Sequence, residues 1–478
     1  MKRLLLFFTA AVLAACADPG ANSGPPLERF YFPGSLEHVD VPGKTEGVLF
    51  VANGNFDKRY ATGSVVALAL DELGLPPLGQ PVTKVGSITD LKLIESQSVQ
   101  IASFAGEMAI EPVGANSYRL YVPTRSEGMR AYRVKATVDA AGKPSLACMS
   151  TEGQNCTTEG ASLSPLAFEQ SATGVPRAPA PYGVTFSPRT CALSPDCCVA
   201  GAESCDRTCN AGRCVAADGS PFSDVWFTHL TQADSPNLSA TNFRGYLVRL
   251  DSDTFAVDEK SFIDIGAGGS NSVVFHKGWS YVSGRFLNPA PNLMRLVNRD
   301  GVVLSTALEF NYRVADARGL ALSSDGKKLY MVGRSPDTLL VLSLVNPETT
   351  PSLTFMRGVA LPDAPNQLKV IPRAGRGDLV VVTCTSGQSI ALYDEDVGEL
   401  VTIVNGVGVQ PFGIAIDHRG TAARLYISDF GDGRVTVIDI PELARPQGAR
   451  MVLHLGAQQL CLTRGVDSPG CLAQGAPR

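Results

Sequence analysis

Along most of the chain the apolar residues come in short runs rich in Val, Ile, Leu and Tyr, parted by Gly, Asp, Asn or Pro. Such runs between turn residues predict short β-strands, and long helical periodicity is hard to find. The clearest succession is Pro411-Phe412-Gly413-Ile414-Ala415-Ile416-Asp417, then Arg424-Leu425-Tyr426-Ile427-Ser428, then Arg434-Val435-Thr436-Val437-Ile438-Asp439. The same order recurs at Ala317–Ser323, Lys328–Val332 and Thr338–Leu342. Weaker copies begin at Glu107, Gly183, Ser272 and Leu368, and a degenerate one includes Val48–Asn53.

The centre of the second run serves as a marker. It reads Phe50, Tyr121, Phe227, Tyr281, Tyr330, Val380 and Tyr426, and the last four lie 46 to 54 residues after their predecessors. That spacing approximates one propeller blade. A single four-stranded sheet cannot bury both faces, but radially arranged sheets cover one another. The expected fold is therefore all-β: a seven-bladed β-propeller with a small disulfide-rich insertion. Sandwich domains in series would need linkers, and the chain shows none. The pattern P-x-G-φ-x-φ-S/D, L-Y-φ, T-φ-x-φ-φ-D resembles the YVTN family of β-propeller repeats, which is related to NHL repeats. The resemblance is best over 317–344 and 411–440 and implies an architecture more than an activity. Met451–Leu455 reads as the outer strand of the last blade. Arg29–Phe32 either pairs with it or completes the first blade.

The N-terminus sets a compartment. Lys2 and Arg3 precede an apolar stretch, Leu4–Val12, too short to span a bilayer as a helix. It ends in Leu13-Ala14-Ala15-Cys16, which resembles the lipobox of bacterial lipoproteins. That resemblance implies acylation of Cys16 and a membrane partner reached through the lipid. Ala17, where an Asp would favour inner-membrane retention, points to the outer membrane. The expected organisation is a signal peptide over 1–15, lipidated Cys16 and a flexible tether over 16–27, the propeller over 28–456, a Cys-rich insertion over 188–218 in the third blade, and a disulfide loop and tail over 457–478. The net charge is −5. An anionic body gives no reason to expect a nucleic-acid partner, and the lipid rather than the protein surface should supply the anchor.

Of 12 cysteines, Cys16 carries the lipid. Cys148 with Cys156, and Cys461 with Cys471, are near enough to close small loops. Cys191, Cys197, Cys198, Cys205, Cys209 and Cys214 crowd a segment with almost no apolar core, which needs disulfides to hold a shape. Adjacent Cys197 and Cys198 should take different partners. The segment lacks C-x2-C knuckles and a nearby His, so zinc is not expected. It reads either as a contact surface or as a tolerated loop expansion. Cys384, inside an apolar strand, reads as a buried free thiol.

Recognisable catalytic motifs are absent: no C-x-x-C-H, H-E-x-x-H, G-x-S-x-G or P-loop occurs. Asp251-Ser252-Asp253 and Asp429-Phe430-Gly431-Asp432-Gly433 read as turns rather than calcium loops. The five histidines, His38, His229, His276, His418 and His454, are far apart. No cofactor and no metal are expected. Aligning the repeats places Tyr182, Asn271, Arg318, Gln367 and Phe412 just before the innermost strands, with Glu107 nearby. One Arg, two amides and two aromatics at a channel mouth could hold a small polar or anionic ligand. The expected function is a lipid-anchored, non-enzymatic binding or scaffold protein of the cell envelope, taking a protein, glycan or small ligand. Two alternatives stand beside it. A lactonase-like hydrolase, as some YVTN-like propellers resemble, would implicate Glu107, Arg318 and His276. An assembly component would dock through the Cys-rich block.

Overall fold

The computed structural model describes residues 24–27, 29–126, 130–149, 153–158, 163–165, 180–191, 197, 207–215, 219, 221–230, 244–257, 261–267, 269–285, 294–305, 314 and 316–458. Cys16, Cys198, Cys205, Cys461 and Cys471 lie outside them. Seven antiparallel sheets follow one another along the chain. Their first and second strands are Pro33–Val39 and Val48–Asn53, Ala109–Gly114 and Ser117–Pro123, Pro181–Pro188 and Ser223–His229, Gly269–His276 and Trp279–Arg285, Asp316–Leu322 and Lys328–Arg334, Pro365–Ile371 and Leu379–Cys384, and Pro411–Arg419 and Ala422–Asp429. First strands of neighbouring sheets lie against one another from blade 2 to blade 7, and Pro33–Val39 packs on Pro411–Arg419, so the ring closes. The chain is a seven-bladed β-propeller.

Alternation along each second strand explains the packing. Phe50 faces the seam to blade 2 while Leu49 and Val51 face blade 7. Every seam holds one buried apolar cluster of this kind. The strand registers identify the residue of each second strand that faces the following blade as Phe50, Tyr121, Trp226, Tyr281, Tyr330, Val381 and Tyr426. All but Val381 are aromatic, and burying such a side chain stabilises by roughly 1.5–3 kcal/mol. Two markers need correcting by one position, Phe227 to Trp226 and Val380 to Val381. Phe227 and Val380 face the preceding seam instead.

The first strands share an irregularity. In blade 3, Pro181 pairs with His229 and Val184 with Phe227, so Tyr182 and Gly183 together oppose Thr228. Blades 4 to 7 repeat this bulge. Bulges re-aim side chains, and here a hydroxyl fixes the result. Thr228 Oγ1 accepts from Gly183 N–H (2.8 Å) and donates to the carbonyl of Asn271 in the next blade (2.7 Å). Ser283 does the same between Ser272 and Arg318, and Thr383 between Gln367 and Phe412. Gly183 has no room for a side chain, because a Cβ there would lie 2.3 Å from Asn271 O. Where blade 5 has Val332 instead of a hydroxyl, the Arg334 guanidinium donates to Pro365 O (2.8 Å).

Arg450–Leu455 is the outer strand of blade 7, and Gly86–Ile88 from the first blade adds to it in parallel. Arg29–Phe32 forms no strand; Phe30 instead packs into the seam between blades 7 and 1. That seam also carries a buried ion network. Arg424, fully buried, bonds Asp439 (2.7 and 3.0 Å), Glu46 (2.9 Å) and Pro76 O (2.7 Å).

Three disulfides are described: Cys148–Cys156, Cys191–Cys209 and Cys197–Cys214. The last two hold a hairpin, Thr208–Asn210 with Arg213–Val215, between the first and second strands of blade 3. Cys384 is a buried free thiol, pushed up to about 12 by desolvation. The two Asp-rich turns use their carboxylates internally. Asp251 accepts from Asp253 N and Arg207, and Asp432 accepts from Val409 N and Arg434.

Candidate functional site

The mouth is built by a repeated corner. A left-handed residue makes the corner in five blades: Phe32, Ala180, Ala364 and Gln410 directly before the first strand and Phe104 before the Ala105 bridge, with φ between 51° and 62°. Its carbonyl accepts from a backbone N–H one or two residues past the second strand: Gly54, Leu230, Thr385 and Phe430 for the directly placed corners, and Arg125 for Phe104. Left-handed backbone is unfavourable for bulky residues and concentrates at working sites. The corner sets Arg125 and Phe430 on the rim, facing the bulge residues.

The expected rim residues fall into two layers. Tyr182, Asn271, Arg318 and Phe412 occupy the first bulge position, each carbonyl held by the preceding blade. Gln367 is displaced from them. Its N–H bonds Thr383 as Gly183 N–H bonds Thr228, so Asn366 is the counterpart of Tyr182. Gln367 and Glu107 share the deeper position and point into the channel, where Gln367 Nε2 donates to Glu107 Oε1 (3.3 Å).

Two cavities result. The channel cavity, about 430 Å3, is lined by Glu107 and Gln367 together with Glu37 and Lys369. Lys369 Nζ bonds both oxygens of Glu37 at 2.9 Å. Protein atoms crowd Glu107, and this desolvation raises its carboxyl to about 8; Lys369 opposes the shift and Glu37 adds to it. Tyr182 is buried, and its phenol is pushed upward by desolvation and then by Glu107.

The mouth cavity, about 150 Å3, is lined by Phe56, Arg125, Tyr182, Arg318, Phe412 and Phe430, with Gly34, Ala105 and Leu230. Arg318 is paired with Asp316 (2.7 and 2.9 Å). Arg125 is different. Its guanidinium lies over the rings of Phe56 (5.1 Å) and Tyr182 (5.6 Å), its Nε is buried without a hydrogen-bond partner, and no described carboxylate pairs with it. Desolvation lowers its pKa, yet an arginine keeps its charge at neutral pH. The phenyl rings continue the patch: Phe56 to Phe430 is 4.8 Å and Phe412 to Phe430 is 5.9 Å between centroids. The site thus offers one uncompensated cation in an aromatic box.

No family model matches the chain, and no curated protein matches it. Among solved structures it is similar to hydrazine synthase from Kuenenia stuttgartiensis (11% identity, 86% of this chain and 96% of that one, TM-score 0.48). It is also similar to a 6-phosphogluconolactonase candidate from Bacteroides uniformis (15%, 77% and 83%, TM-score 0.39) and to the Cps50 (Swd1) β-propeller domain from Myceliophteria thermophila (10%, 86% and 96%, TM-score 0.42). At such identities and scores the chemistry has to be read from this chain's own residues.

Several residues fall elsewhere. Asn271 is buried and lines neither cavity; its side-chain polar atoms make no hydrogen bond among the described residues. His276 ends the first strand of blade 4 against Gly326, a hairpin residue of blade 5 on the face opposite the mouth, so it does not join Glu107 and Arg318. No histidine lines either cavity. The grouping of His38, Asp40 and Asp417 lies away from both cavities, with His38 bonded to Glu46 O and Asp417 held by Arg419. Sequence reasoning missed Arg125, Phe56 and Phe430. Extending the repeat alignment past the second strand would have found Arg125 and Phe430 opposite Leu230 and Thr385.

Proposed function

We propose that this chain is a lipid-anchored, non-enzymatic binding protein of the cell envelope whose ligand site is the channel mouth. The observation that carries the binding reading is Arg125: a half-buried guanidinium over two aromatic rings, with no carboxylate paired to it among the described residues. A partly buried cation with no carboxylate beside it and a cavity in front of it is a site for an incoming group. The anchor rests on Leu13-Ala14-Ala15-Cys16. Acyl chains there would hold the disc near the membrane, with the tether Ala17–Pro26 giving it reach.

A thermal-shift screen of small metabolites against the wild type and Arg125→Gln tests the binding reading. It predicts compounds that raise the melting temperature of the wild type and leave the variant unmoved. A screen in which every hit stabilises both proteins equally would remove the mouth as the site. Labelling cells with a fatty-acid analogue tests the anchor, which predicts label on the wild type and none on Cys16→Ser.

A further inference from the structure

The geometry points to a small aromatic carboxylic acid as the mouth's ligand, its carboxylate between Arg125 and Arg318 and its ring among Phe56, Phe412 and Phe430. This rests on the binding reading above and names the ligand class.

Charge comes first. Two guanidiniums line the cavity and no carboxylate does. Asp316 engages Nε and Nη2 of Arg318 from beside the cavity, which leaves the positive charge of Arg125 unanswered. A cationic ligand would be repelled. An anion would replace lost hydration with guanidinium N–H donors, and a carboxylate suits that planar fork. The Arg125 guanidinium lies over the rings of Phe56 and Tyr182, and its Nε–H has no partner, which leaves a donor for the ligand.

Size and wall come next. A cavity of about 150 Å3 matches the engineered apolar cavity, in another protein, that accepts benzene. Three phenyl rings and a phenol are part of the wall here, beside the two guanidiniums. Aromatic pairs at 4.5–7 Å favour edge or offset contact, and the resident rings already sit 4.8 to 6.5 Å apart. Inorganic phosphate or sulfate would meet those rings with oxygens that find too few donors. A sugar would leave most of its hydroxyls unpaired. An aromatic acid satisfies both halves of the site.

The test is calorimetric titration of the full-length chain in detergent with four probes: benzoate, acetate, inorganic phosphate and benzylammonium. The expected result is benzoate binding at least tenfold tighter than acetate or phosphate, with no heat from benzylammonium. Arg125→Gln should weaken benzoate at least tenfold. Phe430→Leu keeps the wall apolar and the charge intact; it should weaken benzoate severalfold and leave acetate unchanged, so a misfolded Arg125 variant would not block the test. Acetate or phosphate binding as tightly as benzoate, or benzylammonium binding at all, would overturn the inference. If benzoate fails while the metabolite screen yields Arg125-dependent hits of another class, the ligand class is wrong and the mouth reading stands. If neither experiment shows dependence on Arg125, both fall.

Discussion

Arg424 is a fully buried guanidinium and Arg125 a half-buried one, and their surroundings are opposite. Arg424, in the seam between blades 7 and 1, has Asp439 on two nitrogens, Glu46 on a third and the Pro76 carbonyl besides. Arg125, at the mouth, has ring faces and an unpartnered Nε. One is satisfied within the fold and ties the ends of the ring together. The other is held in place by apolar contact with its polar edge unspent. Arg424 holds two blades together; Arg125 faces the cavity with no described carboxylate paired to it.

Substitutions can break that contrast. Arg424→Ala strands Asp439 and Glu46 in the seam, and chemical denaturation should show a loss of about 3–5 kcal/mol; a loss below about 1 kcal/mol would deny the network its structural role. Thr228→Val removes the hydroxyl between blades 3 and 4 and leaves Gly183 N–H and Asn271 O without it, for about 1–3 kcal/mol. Glu107→Gln probes the channel beneath the mouth. Folding raises this carboxyl from its ordinary 4.5 to about 8, mainly by desolvation. The unfolded chain therefore releases the proton first, and wild-type stability should fall as pH rises from about 4.5 to 8. Denaturation midpoints of Glu107→Gln across that range should lie on a flatter line. The smallest effect on stability belongs to Arg125→Gln, within about 1 kcal/mol, because lost cation–π contact is offset by relief of a desolvated charge.

The blades were legible because each second strand repeats an aromatic at a nearly constant interval. The reading slipped in blades 3 and 6, where Trp226 and Phe227 are adjacent aromatics and Val380, Val381 and Val382 are identical, so no single residue stands out as the marker. Apolar residues on both sides erase the two-residue alternation that sets register. The same slip misplaced Gln367 by one residue. Closure was hidden for another reason: Gly86-Ser87-Ile88 is a three-residue strand in a polar stretch, with no apolar run to announce it. Half of the mouth was legible, since Tyr182, Arg318 and Phe412 sit next to the glycine-marked bulges or, for Phe412 and Arg318, within the clearest repeats. Arg125 was not, because the corner that positions it depends on backbone conformation and on residues that vary from blade to blade.

The most direct test is the arginine Nε–H NMR spectrum of the protein, recorded before and during a benzoate titration. The Arg125 signal, assigned by its loss in Arg125→Gln, should exchange readily in the free protein, then shift and become protected as benzoate is added. The Arg424 signal should be protected throughout and should not move. An Arg125 signal as protected as that of Arg424 without ligand, and unmoved by benzoate, would make it one more structural cation and contradict the reading of the mouth.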